Sequence, residues 1–336
     1  MQPQSASEIF AGPRAPRLAH DAKDGRPHNS ALRVMQDLAA NPPPRGNSPA
    51  ELRAHHTRTR RPFLAPLEPV HDYFHIHGAP GVPRLSVIRP RQYEKEKSLP
   101  ALVFLHGGGW TVGSYDTYQP LCRQLANATG SIVIWVEYRL SPEHPFPAAF
   151  EDTRAALRWV YDNALRLGVD ADRIMLGGDS AGGNLAAAVC LAERNERTPY
   201  QPWRQILLYP CLDITASMPS HRKFAEGYLL TERIYRQYRI NYAGAPDKPN
   251  HWRLSPLFAH DVSGLPPTVL LYAGFDPLRD EAAAYAMKLT LADVPLQTLY
   301  FADMIHGFLT MGGAIPAANA AVNRIAQALE SLEALS

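Results

Sequence analysis

Cysteine is scarce in this chain: Cys122, Cys190 and Cys211 are an odd number, far apart and in no paired motif. Disulfide scaffolds and zinc ribbons are thereby excluded, and buried free thiols in a reducing compartment are expected. Long apolar runs are missing as well. No segment approaches the roughly 18 apolar residues of a membrane span, and no signal-peptide-like run opens the chain. A soluble, cytoplasmic protein without a membrane span is the expectation. Charge of one sign is also lacking. Lys and Arg number 34 against 32 Asp and Glu, a net charge of +2, too small a bias for a nucleic-acid partner. Internal repeats and low-complexity tracts are absent.

What is present is enough for one large α/β domain with extra elements, or for two ordinary domains: 336 residues, 46% of them hydrophobic. Residues 1–29 are polar and broken by proline and glycine, which predicts a flexible arm. Leu32, Met35 and Leu38 recur at helical spacing over 30–40, and NPPPRGN stops that helix. Ser48 is a good N-cap for a second helix reaching about Arg58. HDYFHI and RLSVIRP flank a GAPGVP turn as an antiparallel pair. ALVFL (101–105) and IVIWV (132–136) are continuous apolar runs, the pattern of parallel strands covered on both faces.

A helix over 148–166, the strand RIMLGG and a helix over 181–195 follow. The strand QILLY, the strand TVLLYAG (268–274), a helix near 280–292, the strand LQTLYF (296–301) and a helix near 317–334 complete the pattern. Strands separated by helix-length segments predict a mainly parallel, doubly wound sheet with right-handed crossovers. The segment 211–252 interrupts that rhythm and is too aromatic for a solvated loop, carrying Phe224, Tyr228, Tyr235, Tyr238, Tyr242 and Trp252.

Four segments fall just after strands, where open α/β sheets place their sites. Gly178-Asp179-Ser180-Ala181-Gly182 stands between a strand and a helix, where a strained corner exposes a serine hydroxyl at a helix N-terminus. Alone the pattern is weak, arising by chance ~0.07 times in a chain of this composition; its strand–turn–helix setting gives it weight. His106-Gly107-Gly108-Gly109-Trp110 follows ALVFL, and its glycines let backbone N–H groups face a developing oxyanion. A P-loop would need a Lys-Ser/Thr pair that Trp110-Thr111 does not supply. Asp276 and His306 follow the last two strands. The order Ser180, Asp276, His306 suits an α/β-hydrolase triad, with His306 as base and Asp276 as its orienting carboxylate. Asp280, which could instead cap the next helix, and Asp303, close to His306 in sequence, are the rival carboxylates.

HGGGW, YRLSPEHPFPAAFED (138–152), GGDSAGGNLAA (177–187), AGFDPLRDE (273–281) and MIHGF (304–308), in this order, resemble the hormone-sensitive-lipase-like, bacterial family IV carboxylesterases in their GDSAG branch. The resemblance runs from about residue 31 to the C-terminus. It implies an α/β-hydrolase fold, with a mainly parallel eight-stranded sheet flanked by helices and topped by a helical cap. It places cap helices over 30–61, the catalytic core over 62–210 and 253–336, and a cap insertion over 211–252. It implies catalytic roles for Ser180, Asp276 and His306. It puts Gly108, Gly109 and the Ala181 N–H in the oxyanion hole, behind the His106-Gly107 loop. The arm before residue 30, Glu137 before YRL and Asp303 depart from the family pattern without touching the triad.

The expected activity is hydrolysis of short- to medium-acyl esters through an acyl-serine, without cofactor or metal. An amidase, lactonase or carbamate hydrolase with the same triad is the alternative. A non-catalytic small-molecule receptor on this fold would have lost the histidine that stands here at 306. Trp110, Asp179, Phe224 and Tyr228 are candidate pocket residues, the aromatics being equally suited to cap core. His71, His75 and His77 share one strand face, as metal ligands or as an exposed edge. Arg53, Arg58, Arg60 and Arg61, with His55 and His56, form either a phosphate patch or, more ordinarily, the solvated face of a helix. The expected partner is a small-molecule ester, with a homodimer paired through a sheet edge also expected.

Overall fold

The computed structural model describes residues 25–42, 48–77, 80–244 and 249–334. Most of the expected arm, part of the NPPPRGN stop and part of the GAPGVP turn therefore lie outside the described residues. The strands are β1 (Asp72–Ile76), β2 (Arg84–Arg89), β3 (Leu99–Leu105), β4 (Ile132–Glu137), β5 (Val169–Asp179), β6 (Arg204–Leu208), β7 (Thr268–Phe275) and β8 (Leu296–Ile305). They form one eight-stranded sheet in the order β1-β2-β4-β3-β5-β6-β7-β8. β2 pairs antiparallel with β1 and β4, and every other pairing is parallel. This is the α/β-hydrolase fold.

The apolar runs explain the layers. In β3, Leu102 and Phe104 enter one core while Ala101, Val103 and Leu105 enter the other, as the two-residue period of a strand requires. Each of the larger side chains, Leu102, Val103, Phe104 and Leu105, contributes about 1.5–3 kcal/mol by leaving water. The first face is covered by α1 (Asn29–Ala39), α3 (Tyr115–Thr129) and α10 (Pro316–Glu333), through Val34, Leu121, Leu125, Ile325 and Leu329. The second is covered by α4 (Ala148–Asp162), α6 (Ala181–Glu196) and α9 (Arg279–Leu291), through Leu157, Leu185, Tyr285 and Leu289. The helix expected over 148–166 is interrupted at Asn163 and resumes as the short α5 (Ala164–Leu167). β5 and β8 are longer than the apolar runs that signalled them, because β5 continues to the serine corner and β8 to His306.

Two further elements stand above the carboxyl ends of the strands. α2 (Pro49–Arg60) opens on a capping box: Ser48 Oγ accepts the Glu51 N–H and Glu51 Oε2 accepts the Ser48 N–H at 2.9 Å. Between β6 and β7 come α7 (Pro219–Lys223) and α8 (Glu232–Ala243), the latter capped by Thr231. Among the described residues, no helix is long and apolar enough to cross a membrane, and all three cysteines are free and buried.

His71, His75 and His77 share the exposed face of β1. His75 Nδ1 lies 2.8 Å from Ser86 Oγ, and the His71 ring packs on Tyr93. Among the described residues, no cluster of three or more His, Cys, Asp or Glu is placed to hold a metal. Glu137 pairs with Arg84 across the β2–β4 ladder, with both side chains substantially exposed.

Candidate active site

The order β3-β5-β6-β7-β8 brings the ends of four strands to one rim. β5 ends at Asp179, and Ser180 turns the chain into α6 with φ 54° and ψ −115°. That conformation costs a non-glycine residue on the order of 1–3 kcal/mol. Three bonds over-determine it: Ser180 N–H donates to the Leu208 carbonyl at 2.9 Å, and the Ser180 carbonyl accepts Cys211 N–H and Asn184 N–H. Close packing at the corner requires glycine at 182, where a Cβ would collide with the Leu105 carbonyl of β3.

His306 Nε2 lies 2.9 Å from Ser180 Oγ, and His306 Nδ1 lies 2.7 Å from Asp276 Oδ2. Asp276 is fully buried and its other oxygen accepts the Leu278 N–H at 2.8 Å. An ionised carboxylate can only accept, so Nδ1 carries the ring proton and Nε2 is left to accept from the serine hydroxyl. Of the rival carboxylates, Asp280 is engaged elsewhere, accepting the Ser220 N–H at 2.9 Å and pairing with Arg279, and the bond from His306 Nδ1 is made to Asp276 and not to Asp303.

The glycine loop after β3 is held from beneath. Gly107 N–H donates to Asp179 Oδ1 at 2.7 Å, and the Tyr118 hydroxyl donates to Asp179 Oδ2 at 3.1 Å. Burial pushes the Asp179 carboxyl up to about 7, against the bonds from Gly107, the charge of His306 and the Tyr118 hydroxyl, which all favour the ionised form. His106 is stacked between Trp135 and Tyr138, and burial holds its ring down at about 4, so it is neutral. The Gly108 carbonyl accepts from Thr111 and Val112. Gly109, at φ 59°, passes so close to Tyr238 that a Cβ would strike the ring. An oxyanion formed at Ser180 would face this loop and the N-terminus of α6.

A cavity of about 130 Å³ opens at Ser180, walled by Gly108, Gly109, Trp110, Asp179, Ala181 and His306. Trp110 stacks on Tyr242 of α8 at 4.2 Å between ring centroids. Of the two readings open for Phe224 and Tyr228, pocket wall or cap core, the packing favours the second, and neither residue lines this cavity. They pack on Phe275, at 5.9 and 5.7 Å between centroids, and Arg279 lies over Phe224. The interruption after β6 contributes Leu229, Leu230, Ile234, Tyr235 and Tyr238 to the wall in their place. Their aromatic character predicted burial but not against what.

The basic cluster of α2 needs correcting. Arg53 is no free cation: it donates to the Thr111 carbonyl at 2.8 Å and the Ser141 carbonyl at 3.1 Å, and pairs with Glu143. His56 and Arg60, one turn apart, face the cavity and not bulk solvent. Their four-residue spacing, followed by the apolar Leu64 that shares the same wall, is the signal that could have marked that face.

Comparison with known proteins agrees with this fold. A family model described as the alpha/beta hydrolase fold matches residues 102–310. The chain is 44% identical over 220 residues to the carboxylic ester hydrolase LipN of Mycobacterium tuberculosis, a match covering 63% of this chain and 58% of that protein. It is 39% identical over 236 residues to the carboxylesterase NlhH of the same organism, covering 69% of this chain and 74% of that protein. Among solved structures, an ester hydrolase from the Lake Arreo metagenome, crystallised with a bipyridine phosphonate derivative, superposes with a TM-score of 0.86. It is 34% identical, covering 91% of this chain and 99% of that one.

Proposed function

Because this chain belongs to the hormone-sensitive-lipase-like group of the α/β-hydrolase family and is a carboxylic ester hydrolase, we propose that it cleaves short- to medium-acyl esters through an acyl intermediate on Ser180, as a member of the GDSAG branch. The observation that carries this is the unbroken relay from Ser180 Oγ through His306 to Asp276, at 2.9 and 2.7 Å.

In the proposed reaction, His306 Nε2 takes the Ser180 proton as Oγ attacks the ester carbonyl. Negative charge gathers on the carbonyl oxygen, where the N–H groups of Gly108, Gly109 and Ala181 stabilise it. Each such donor is worth about 3 kcal/mol of barrier. His306 then delivers its proton to the leaving alcohol, and Asp276 stabilises the imidazolium meanwhile. Water, deprotonated by the same imidazole, attacks the acyl-serine and frees the acid.

The walled cavity of about 130 Å³ at Ser180 supports the short-acyl reading. α2 and the segment containing α8 act in this reading as a cap that limits chain length. Stoichiometric labelling by a fluorophosphonate, abolished in Ser180→Ala, together with a 4-nitrophenyl ester series peaking at short acyl chains, tests the proposal. A folded protein that takes no label overturns the Ser180 role, and an optimum at long chains overturns the substrate range.

A further inference from the structure

Arg60 ends α2 and lines the same cavity as Ser180. Arg53, two turns earlier on the same helix, pairs with Glu143, and Arg58 Nη2 lies 3.1 Å from His55 Nδ1. Among the described residues, Arg60 has no carboxylate partner. Its Nη1 rests 3.5 Å from Met311 Sδ, a weak acceptor, and the groups acting on its charge are the tyrosines 238, 118 and 209. The one carboxylate of the cavity wall, Asp179, is already bound to Gly107 and Tyr118 under the glycine loop. A guanidinium stays cationic in proteins, and withdrawing it from bulk water without a counter-charge is costly. That arrangement is repaid when a ligand brings the missing anion.

Resting on the esterase reading above, we propose that Arg60 is a specificity residue that recognises a free carboxylate on the substrate, so that the preferred esters are monoanionic. The fork of a guanidinium matches a carboxylate with two parallel N–H bonds. His56, one turn earlier, adds no second charge: burial holds it neutral, at about 3, and its Nδ1 is buried without a partner. One cation in a cavity of about 130 Å³ fits a single carboxylate on a short chain better than a doubly charged phosphate. The carboxylate can come from either side of the scissile bond, in a monoester of a short dicarboxylic acid or in an acylated hydroxy acid.

Pairs of near-isosteric esters separate these cases when hydrolysis is followed by acid release at neutral pH. Monomethyl succinate is compared with methyl pentanoate for the acyl side, and 3-acetoxypropionate with butyl acetate for the alcohol side. In one pair the anionic ester should have kcat/KM at least about tenfold above its neutral partner, the scale of a charge-assisted hydrogen bond. Arg60→Gln should lower that ratio by roughly tenfold or more, with Arg60→Lys between.

A ratio at or below one in both pairs of the wild-type enzyme overturns the proposal without any variant being needed. So does an Arg60→Gln enzyme that loses activity on both members of a pair alike, since a purely structural arginine leaves the ratio unchanged. Turnover of the neutral esters in either case leaves the Ser180 reading standing, whereas loss of fluorophosphonate labelling strikes that reading and, with it, the role of Arg60 that rests on it.

Discussion

Asp179 shows how much a single buried carboxyl carries. It tethers the glycine loop through Gly107 and Tyr118, yet its burial raises its pKa to about 7 from the 3.8 of an ordinary aspartate. Between those limits the folded chain holds a proton that the unfolded chain has released. Stability from this group is therefore full below about pH 4 and is lost as pH rises towards 7, with a ceiling on the order of 4 kcal/mol. Asp179→Asn cannot ionise and keeps a carbonyl for the Gly107 N–H. Urea unfolding of the two proteins at several pH values should show the wild-type curve falling across that window relative to the variant. Parallel curves would remove Asp179 from the account.

At the scale of elements, the corner between β5 and α6 and the loop after β3 fix each other. Gly182 lets α6 lie against the Leu105 carbonyl, and Gly109 lets the loop lie under Tyr238. Gly109→Ala should push the loop off its seat and lower kcat by about 10²–10³. Adding Tyr238→Ala to it should restore part of the loss by clearing the collision, leaving the strain of alanine at φ 59°. Stopped-flow acylation of the single and double variants measures both effects; equal rates in the two would show that Tyr238 is not the obstacle.

These two elements were the most legible in the sequence, since a tight corner and a bare backbone loop admit few residue types and so leave a local pattern. Asp276 was legible through its place after β7, but its advantage over Asp280 came from distances only the fold provides. Arg60 and His56 were misread for a definite reason. Polar helix faces ordinarily meet bulk water, and a reaction cavity is a wet place inside the molecule, so both settings have the same pattern. Phe224 and Tyr228 stayed open between pocket and cap core because aromatic content signals burial without naming the neighbour, here Phe275. β8 runs past the apolar stretch that signalled it because half-buried Ala302 and Asp303 interrupt that stretch before Met304 and Ile305 are buried again.

Across the whole molecule, the stack of Tyr242 on Trp110 is one of several contacts that join α8 to the core, beside the bond from the Tyr235 hydroxyl to the Asp213 carbonyl. Tyr242 is fully buried, lies parallel to Trp110 beside the glycine loop, meets Phe146 edge-on, and its carbonyl accepts the Phe146 N–H. Truncation to Tyr242→Ala should cost about 3–5 kcal/mol of stability, seen as a lower urea midpoint. It should also widen the pocket behind Trp110, shifting the 4-nitrophenyl ester optimum towards longer acyl chains. An unchanged optimum would show that Trp110 holds its place without the stack.

The sheet order has a consequence for the making of the enzyme. β8 is both the last strand in the chain and the outermost at its edge, and His306 at its end meets a serine 126 residues earlier. A growing polypeptide thus acquires its nucleophile corner and its anion-binding loop long before it owns a base. During synthesis the half-built site can present a serine hydroxyl but has no imidazole to activate it. In the proposed mechanism the chain therefore stays chemically silent towards esters until its final strand has docked.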